Sequence, residues 1–288
     1  MVDTRAAERF TAPLALHGEG PVWAANADQL QFVDLLAGDI VTVDASGALV
    51  ERRAVGAIAA AFRPRRAGGL VIAVERGFAL LSPEGELTTL PEVWSDPAVR
   101  MNDGTCDTQG RFLCGSMAYD ESAGAGALHR LELDGSTTTV LEHLTISNGL
   151  AFSADGTTAV LVDSPTQQVR RYRLPVDDGP WRDHDVVVDI DPEVGTPDGL
   201  CVDAEGGIWV ALWGGSAVHR FTAEGALTDI VTLPVPQVTA CTLGGTDGRT
   251  LFITTSARGV DRAEQPDAGA VFTARASVAG EPALSCAL

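Results

Sequence analysis

The chain has 288 residues, 45% of them apolar, with 39 acidic against 20 basic side chains and a formal charge of −19. That size and apolar content suit a large buried core and exclude wholesale disorder, while the acidic balance argues against nucleic acid and anionic membranes as partners. No apolar run approaches the ~20 residues needed to cross a bilayer. The opening MVDTRAAERFTAPLALHGEG has no long apolar stretch behind a basic end, so no signal peptide is expected and a cytoplasmic location is.

Six short runs of β-branched and aliphatic residues follow one another along the chain: LQFVDL (30–35), GLVIAVE (69–75), RFLCGSM (111–117), TAVLVDS (158–164), GIWVALW (207–213) and TLFITTS (250–256). A turn signal precedes each, at Asn26–Asp28, Gly68-Gly69, Gln109-Gly110, Asp155-Gly156, Gly206-Gly207 and Asp247-Gly248. The interval is roughly 40 to 50 residues, the period of four-stranded propeller blades. After each apolar run comes a further strand such as DIVTVD (39–44), ALHRLEL (127–133) or AVHRFTA (217–223), then a turn such as LDG or AEG. A more polar strand such as STTTVLE (136–142) completes the unit. Amphipathic helix periods are scarce. The pattern predicts an all-β chain: one domain over residues 1–288, a six-bladed propeller of four-stranded antiparallel blades around a central channel. Blades begin near residues 18, 57, 102, 147, 197 and 238.

The five cysteines, Cys106, Cys114, Cys201, Cys241 and Cys286, show no CxxC spacing and read as reduced core residues rather than a zinc cluster. No GxSxG, P-loop or Rossmann glycine pattern is present. A different signal does recur. GEGPVW (18–23), MNDGTC (101–106), SNGLAF (147–152) and PDGLCV (197–202) each place an acid or amide before glycine ahead of a strand. Blades two and six, with AAAFRP and TACTLG, lack the step. Innermost strands of a propeller start beside the channel on one face, so Glu19, Asp103, Asn148 and Asp198 should converge. Carboxylates gathered there repel one another unless a cation neutralises them, which implies one divalent metal. The donors are all oxygen, favouring Ca²⁺, with Mg²⁺ and Mn²⁺ close behind and Zn²⁺ or Fe²⁺ also able to bind. Asp107, Asp155, Asp163, Asp203 and Asp247 read as turn or blade hydrogen-bonding acids.

GEGPVW, RMNDGTCDTQGRFLCGSM (100–117), SNGLAFSADG (147–156) and PDGLCVDAEGGIWVALWGG (197–215) together resemble the signatures of the gluconolactonase/regucalcin family, also called senescence marker proteins. The resemblance implies metal ligands at Glu19, Asn148 and Asp198. It implies lactone-binding positions at Arg100 and Asn102, with Asp103 close to the metal. A further acidic contact, usually glutamate in the family, falls on Asp120, where MAYD departs from the usual run of acids. The implied activity is metal-dependent opening of a small sugar lactone, with Asp198 as general base. A calcium-dependent phosphotriesterase and a non-catalytic calcium-binding propeller are the rival readings. The expected partner is a small-molecule lactone, and the expected state a monomer or weak homo-oligomer.

Overall fold

A computed structural model describes residues 1–288. The six apolar runs are the second strands of six sheets, and their continuity has a simple cause. Phe112–Ala118 is buried at every position, covered on both faces by neighbouring blades, so polar alternation would leave polar groups unsatisfied. The outer strand Leu49–Ala54, with one face in water, is exposed along almost all of its length.

Inside each apolar run lies an inner strand: Gly18–Ala24, Ala59–Pro64, Val99–Cys106, Ser147–Phe152, Thr196–Val202 and Val238–Gly244. Each touches the next around a closed ring, and the sixth returns to the first. The molecule is a six-bladed β-propeller. Between blades the core is apolar, as where Val22, Val33, Phe62, Ile72, Phe78 and Phe112 pack together. Each such side chain contributes about 1.5–3 kcal/mol on burial.

Two features of the ring are non-local. Glu8–Arg9 supplies the outermost strand of blade six, pairing antiparallel with Phe272–Arg275. Asp3–Ala6 adds a fifth strand to blade five, parallel to Leu227–Thr232, so that sheet departs from the four-strand plan. At the end of the ring where first and second strands turn, residues beyond blade six cross from blade to blade. Gly280 bridges Asp203, Cys286 bridges Arg65, and the Ala287 N–H donates to the Gly110 carbonyl. No helix is long and apolar enough to cross a membrane.

Candidate active site

In all six inner strands the pairing with the second strand breaks at one place. The breaks lie between Glu19 and Val22, Ala59 and Ala61, Met101 and Gly104, Ser147 and Leu150, Pro197 and Leu200, and Val238 and Ala240. A bulge of this kind frees a residue from the ladder and re-aims its side chain. The polar-glycine steps therefore sit inside the inner strands, not ahead of them. The side chains at or beside the break are Glu19, Ala60, Asn102, Asn148, Asp198 and Thr239; Glu19 is the last residue paired before its bulge, with Val33, whereas the others lie within theirs. Blade three contributes Asn102 to this ring, and Asp103 falls one place later.

Glycine follows because the blades nearly touch at the axis. A Cβ on Gly149 would come within 2.6 Å of the Leu200 side chain and 2.8 Å of the Asp198 carbonyl oxygen. One on Gly199 would meet the Ala240 Cβ at 2.5 Å. Neither contact is tolerable for non-bonded atoms, so the step reads as a directed side chain followed by a residue thin enough to let blades close.

Glu19, Asn148 and Asp198 converge on a cavity of about 380 Å³, together with Arg100 and Asn102. That volume lies within the range of small-molecule sites. A directed hydrogen-bond chain holds its polar wall. Arg100 Nη1 donates to Asn102 Oδ1 at 2.7 Å, and Asn102 Nδ2 donates to Asn148 Oδ1 at 2.8 Å. Asn148 Nδ2 then donates to Ser164 Oγ at 2.8 Å. Because a guanidinium can only donate, this chain fixes both amide orientations and leaves the Asn148 carbonyl oxygen one spare lone pair in the cavity that Glu19 and Asp198 also line.

The carboxylates themselves are under electrostatic stress. Glu19 is 5% and Asp198 7% exposed, and neither forms an ion pair. Burial pushes the Glu19 carboxyl well above the usual range, reinforced by the charges of Asp198 and Asp103. Burial raises Asp198 likewise, and Asp103 adds to it. The only hydrogen bond recorded for the Glu19 carboxylate comes from the Gly20 N–H, at 3.1 Å. Two charges held this way, with an amide oxygen in the same cavity, form a donor set that a hard dication would satisfy.

Asp103 is close enough for its charge to act on both acids, yet it does not line the cavity. Its Oδ1 accepts the Gly104 N–H at 2.7 Å, and burial raises its pKa while Arg63 opposes the shift. Asp120 stands outside as well. It is exposed and accepts the Ser122 N–H and hydroxyl within its own turn, at 3.0 and 2.6 Å. Its neighbour Glu121, held at φ 61°, lines the cavity in its place.

Several lining residues carried no signal in the repeat. Ser164 is Asn148's anchor. His17, two residues before Glu19, sits edge-on to Trp213 with ring centroids 5.9 Å apart, and both line the cavity. Burial, with Arg100 and Arg258 nearby, lowers the His17 pKa to about 3, so the ring is neutral. Arg258 reaches the rim from the loop after blade six's second strand. The bulge register and the edge-on ring pair are three-dimensional facts; only the proximity of His17 to GEGPVW could have been noticed in the sequence. Asp163 and Asp203 do hold blade backbone, accepting the Ile146 and Gly207 N–H groups at 2.9 Å each.

The chain belongs to a known family: residues 17–257 match the SMP-30/gluconolactonase/LRE-like region. Among relatives, the chain is 30% identical to the putative sugar lactone lactonase YvrE of Bacillus subtilis, covering 92% of this chain and 93% of that protein. It is 32% identical to regucalcin of Danio rerio, over 88% and 89% respectively. Among solved structures, a calcium-binding protein, regucalcin, from Agrobacterium tumefaciens superposes with a TM-score of 0.92 at 27% identity, covering 100% of this chain and 99% of that one.

Proposed function

We propose that this chain hydrolyses a small sugar lactone, an aldonolactone such as gluconolactone, to its hydroxy acid, and that it does so with one divalent cation. The observation that carries the reading is the pair of buried, ion-pair-free carboxylates, Glu19 and Asp198, facing the cavity beside a donor chain that ends in Arg100. Membership of the family and likeness to a putative sugar lactone lactonase support the reaction class. Likeness to a calcium-binding regucalcin supports the cation and favours Ca²⁺.

Glu19, Asn148 and Asp198 would hold the cation, which when bound supplies the positive centre that ester attack needs on the carbonyl oxygen. The chain's own residues do the rest. Arg100 is pinned by its bonds to Met101 O at 2.9 Å and to Asn102, leaving further N–H groups to meet ring oxygens of the substrate. Both Asn102 Nδ2 hydrogens are taken, by Ser147 O at 2.9 Å and Asn148 Oδ1 at 2.8 Å, so the residue holds Arg100 and Asn148 at fixed separation while its Oδ1 keeps one lone pair for the substrate. Asp198 is the general base, accepting a proton from water at its carboxylate once positive charge has brought its pKa down.

The deciding experiment is a pH-stat panel of aldonolactones on chelator-treated protein, re-supplied in turn with Ca²⁺, Mg²⁺, Mn²⁺, Zn²⁺ and Fe²⁺, with an organophosphate ester as a parallel substrate. Cation-dependent lactone turnover supports the reading. Turnover of the phosphoester alone, or cation binding without any turnover, defeats it.

A further inference from the structure

His17 takes no part in the scheme above, yet its ring faces the same cavity. Its environment decides which nitrogen carries the proton. Nδ1 lies 2.9 Å from Ser256 Oγ. That hydroxyl oxygen also accepts the Arg258 N–H at 3.1 Å and lies 3.3 Å from the Leu16 carbonyl, to which only it can donate. If Ser256 gave its one proton to Nδ1, the Leu16 contact would oppose two lone pairs. If it donates to Leu16, the Nδ1–H can donate to Ser256 and all three contacts are hydrogen bonds. Nε2 is then an acceptor with no protein partner, on a ring braced edge-on by Trp213.

With Glu19, Asn148 and Asp198 given to the cation, Nε2 is left as an acceptor for the substrate, beside Arg100, which offers only donors. We infer that His17 is a substrate-binding residue whose Nε2 accepts a hydrogen bond from a substrate hydroxyl, so that the site selects polyhydroxylated lactones over unsubstituted ones. Trp213 supplies the apolar wall against which the carbon face of a sugar ring lies. The inference deepens the lactonase reading and rests on it for the reaction, though not for the binding of hydroxyls. The reasoning is one of unpaired groups: a site built to bond a hydroxyl discriminates against an analogue without it, because its own polar atom is left alone in the complex.

The test compares kcat/KM for gluconolactone with that for δ-valerolactone, in wild type, His17→Phe and His17→Gln, with cation supplied. His17→Phe keeps a flat ring against Trp213 and removes the acceptor. The expected result is a fall of roughly 10- to 100-fold in the gluconolactone-to-valerolactone ratio, carried mainly by KM, with partial recovery in His17→Gln through its amide oxygen. A folded His17→Phe protein with the wild-type ratio overturns the inference. Should that variant not fold, Ser256→Ala, which frees the tautomer, must lower the same ratio, and an unchanged ratio overturns it. If wild type hydrolyses neither lactone, the lactonase reading fails by itself. Calorimetry with glucose as an ester-free ring polyol then decides: binding by wild type that His17→Phe loses upholds the hydroxyl contact, and equal or absent binding overturns it.

Discussion

Replacing Asp198 by Asn should stabilise the protein in chelator and abolish its response to Ca²⁺. Asp198 and Glu19 are buried together without a direct ion-pair partner, and although the Arg100 charge partly offsets the shift, each has a folded-state pKa above its unfolded value. The folded protein therefore holds protons that the unfolded chain releases. The penalty is absent below the unfolded carboxylate pKa of about 4, and grows with pH until the raised folded values are passed. At neutral pH the amide removes the like-charge repulsion and the burial of a second charge at nearly constant shape, an effect on the order of a few kcal/mol for close charges in an effective dielectric of about 20. Allowing for a weakened Gly199 N–H contact, the metal-free variant should gain about 1–3 kcal/mol, or roughly 2–10 °C in Tm. Wild type at a hundredfold excess of Ca²⁺ over Kd should gain about 2.7 kcal/mol, whereas the variant should gain almost nothing. Differential scanning calorimetry at pH 7.5, in chelator and in Ca²⁺, reads both. A variant less stable than wild type in chelator, or one showing an undiminished Ca²⁺ shift, would refute the reasoning.

The same pair sets a pH signature: in chelator, the stability gap between Asp198→Asn and wild type should close as pH falls from 7.5 toward 4, and a gap that widens in acid contradicts the sign. Arg100→Ala removes the anchor of the donor chain and should lower kcat/KM for a lactone by roughly 10- to 100-fold; steady-state kinetics separate a KM effect from a kcat effect. Gly199→Ala puts a methyl 2.5 Å from the Ala240 Cβ, forcing blades five and six apart. It should cost about 1–3 kcal/mol in urea denaturation. Deleting residues 1–9 strips the outer strand from blade six and leaves Asp229, 4% exposed, without its 2.9 Å Arg5 partner. A loss of at least about 3 kcal/mol is expected, and a deletion variant with unchanged urea midpoint would show the closure to be dispensable.

The fold was legible because its signals are local and repeated. Six buried second strands must be apolar throughout, and six turns must carry glycine or asparagine-type residues, so the blade period is printed on the chain. The register of the cavity was legible to within one residue. Asn148 and Asp198 stand within their bulges and Glu19 immediately before its own, while NDG in blade three misleads: it carries Asn102 first in the bulge and Asp103 one step on. Only strand pairing distinguishes them. At position 120 sequence similarity aligns an acid, while the backbone at Asp120–Glu121 turns the first carboxylate onto Ser122 and admits the second. His17, Trp213 and Arg258 come from blades one, five and six. Nothing in a linear sequence reveals a ring edge-on to another nearly 200 positions away. Closure by Glu8–Arg9 was invisible for the same reason, since a two-residue strand has no pattern of its own.

That closure has a consequence for the order of events during synthesis. Blade six is finished only when Phe272–Arg275 leaves the ribosome and captures a strand made much earlier in translation. Until then the nascent polypeptide is an open arc, and the walls contributed by blades one and six stand apart. Blades three to five can assemble early, with Asn102 and Asn148 already linked, but Glu19, His17 and Arg258 join them only at ring completion. Newly made molecules should therefore pass abruptly from inert to competent, with no half-active form along the way.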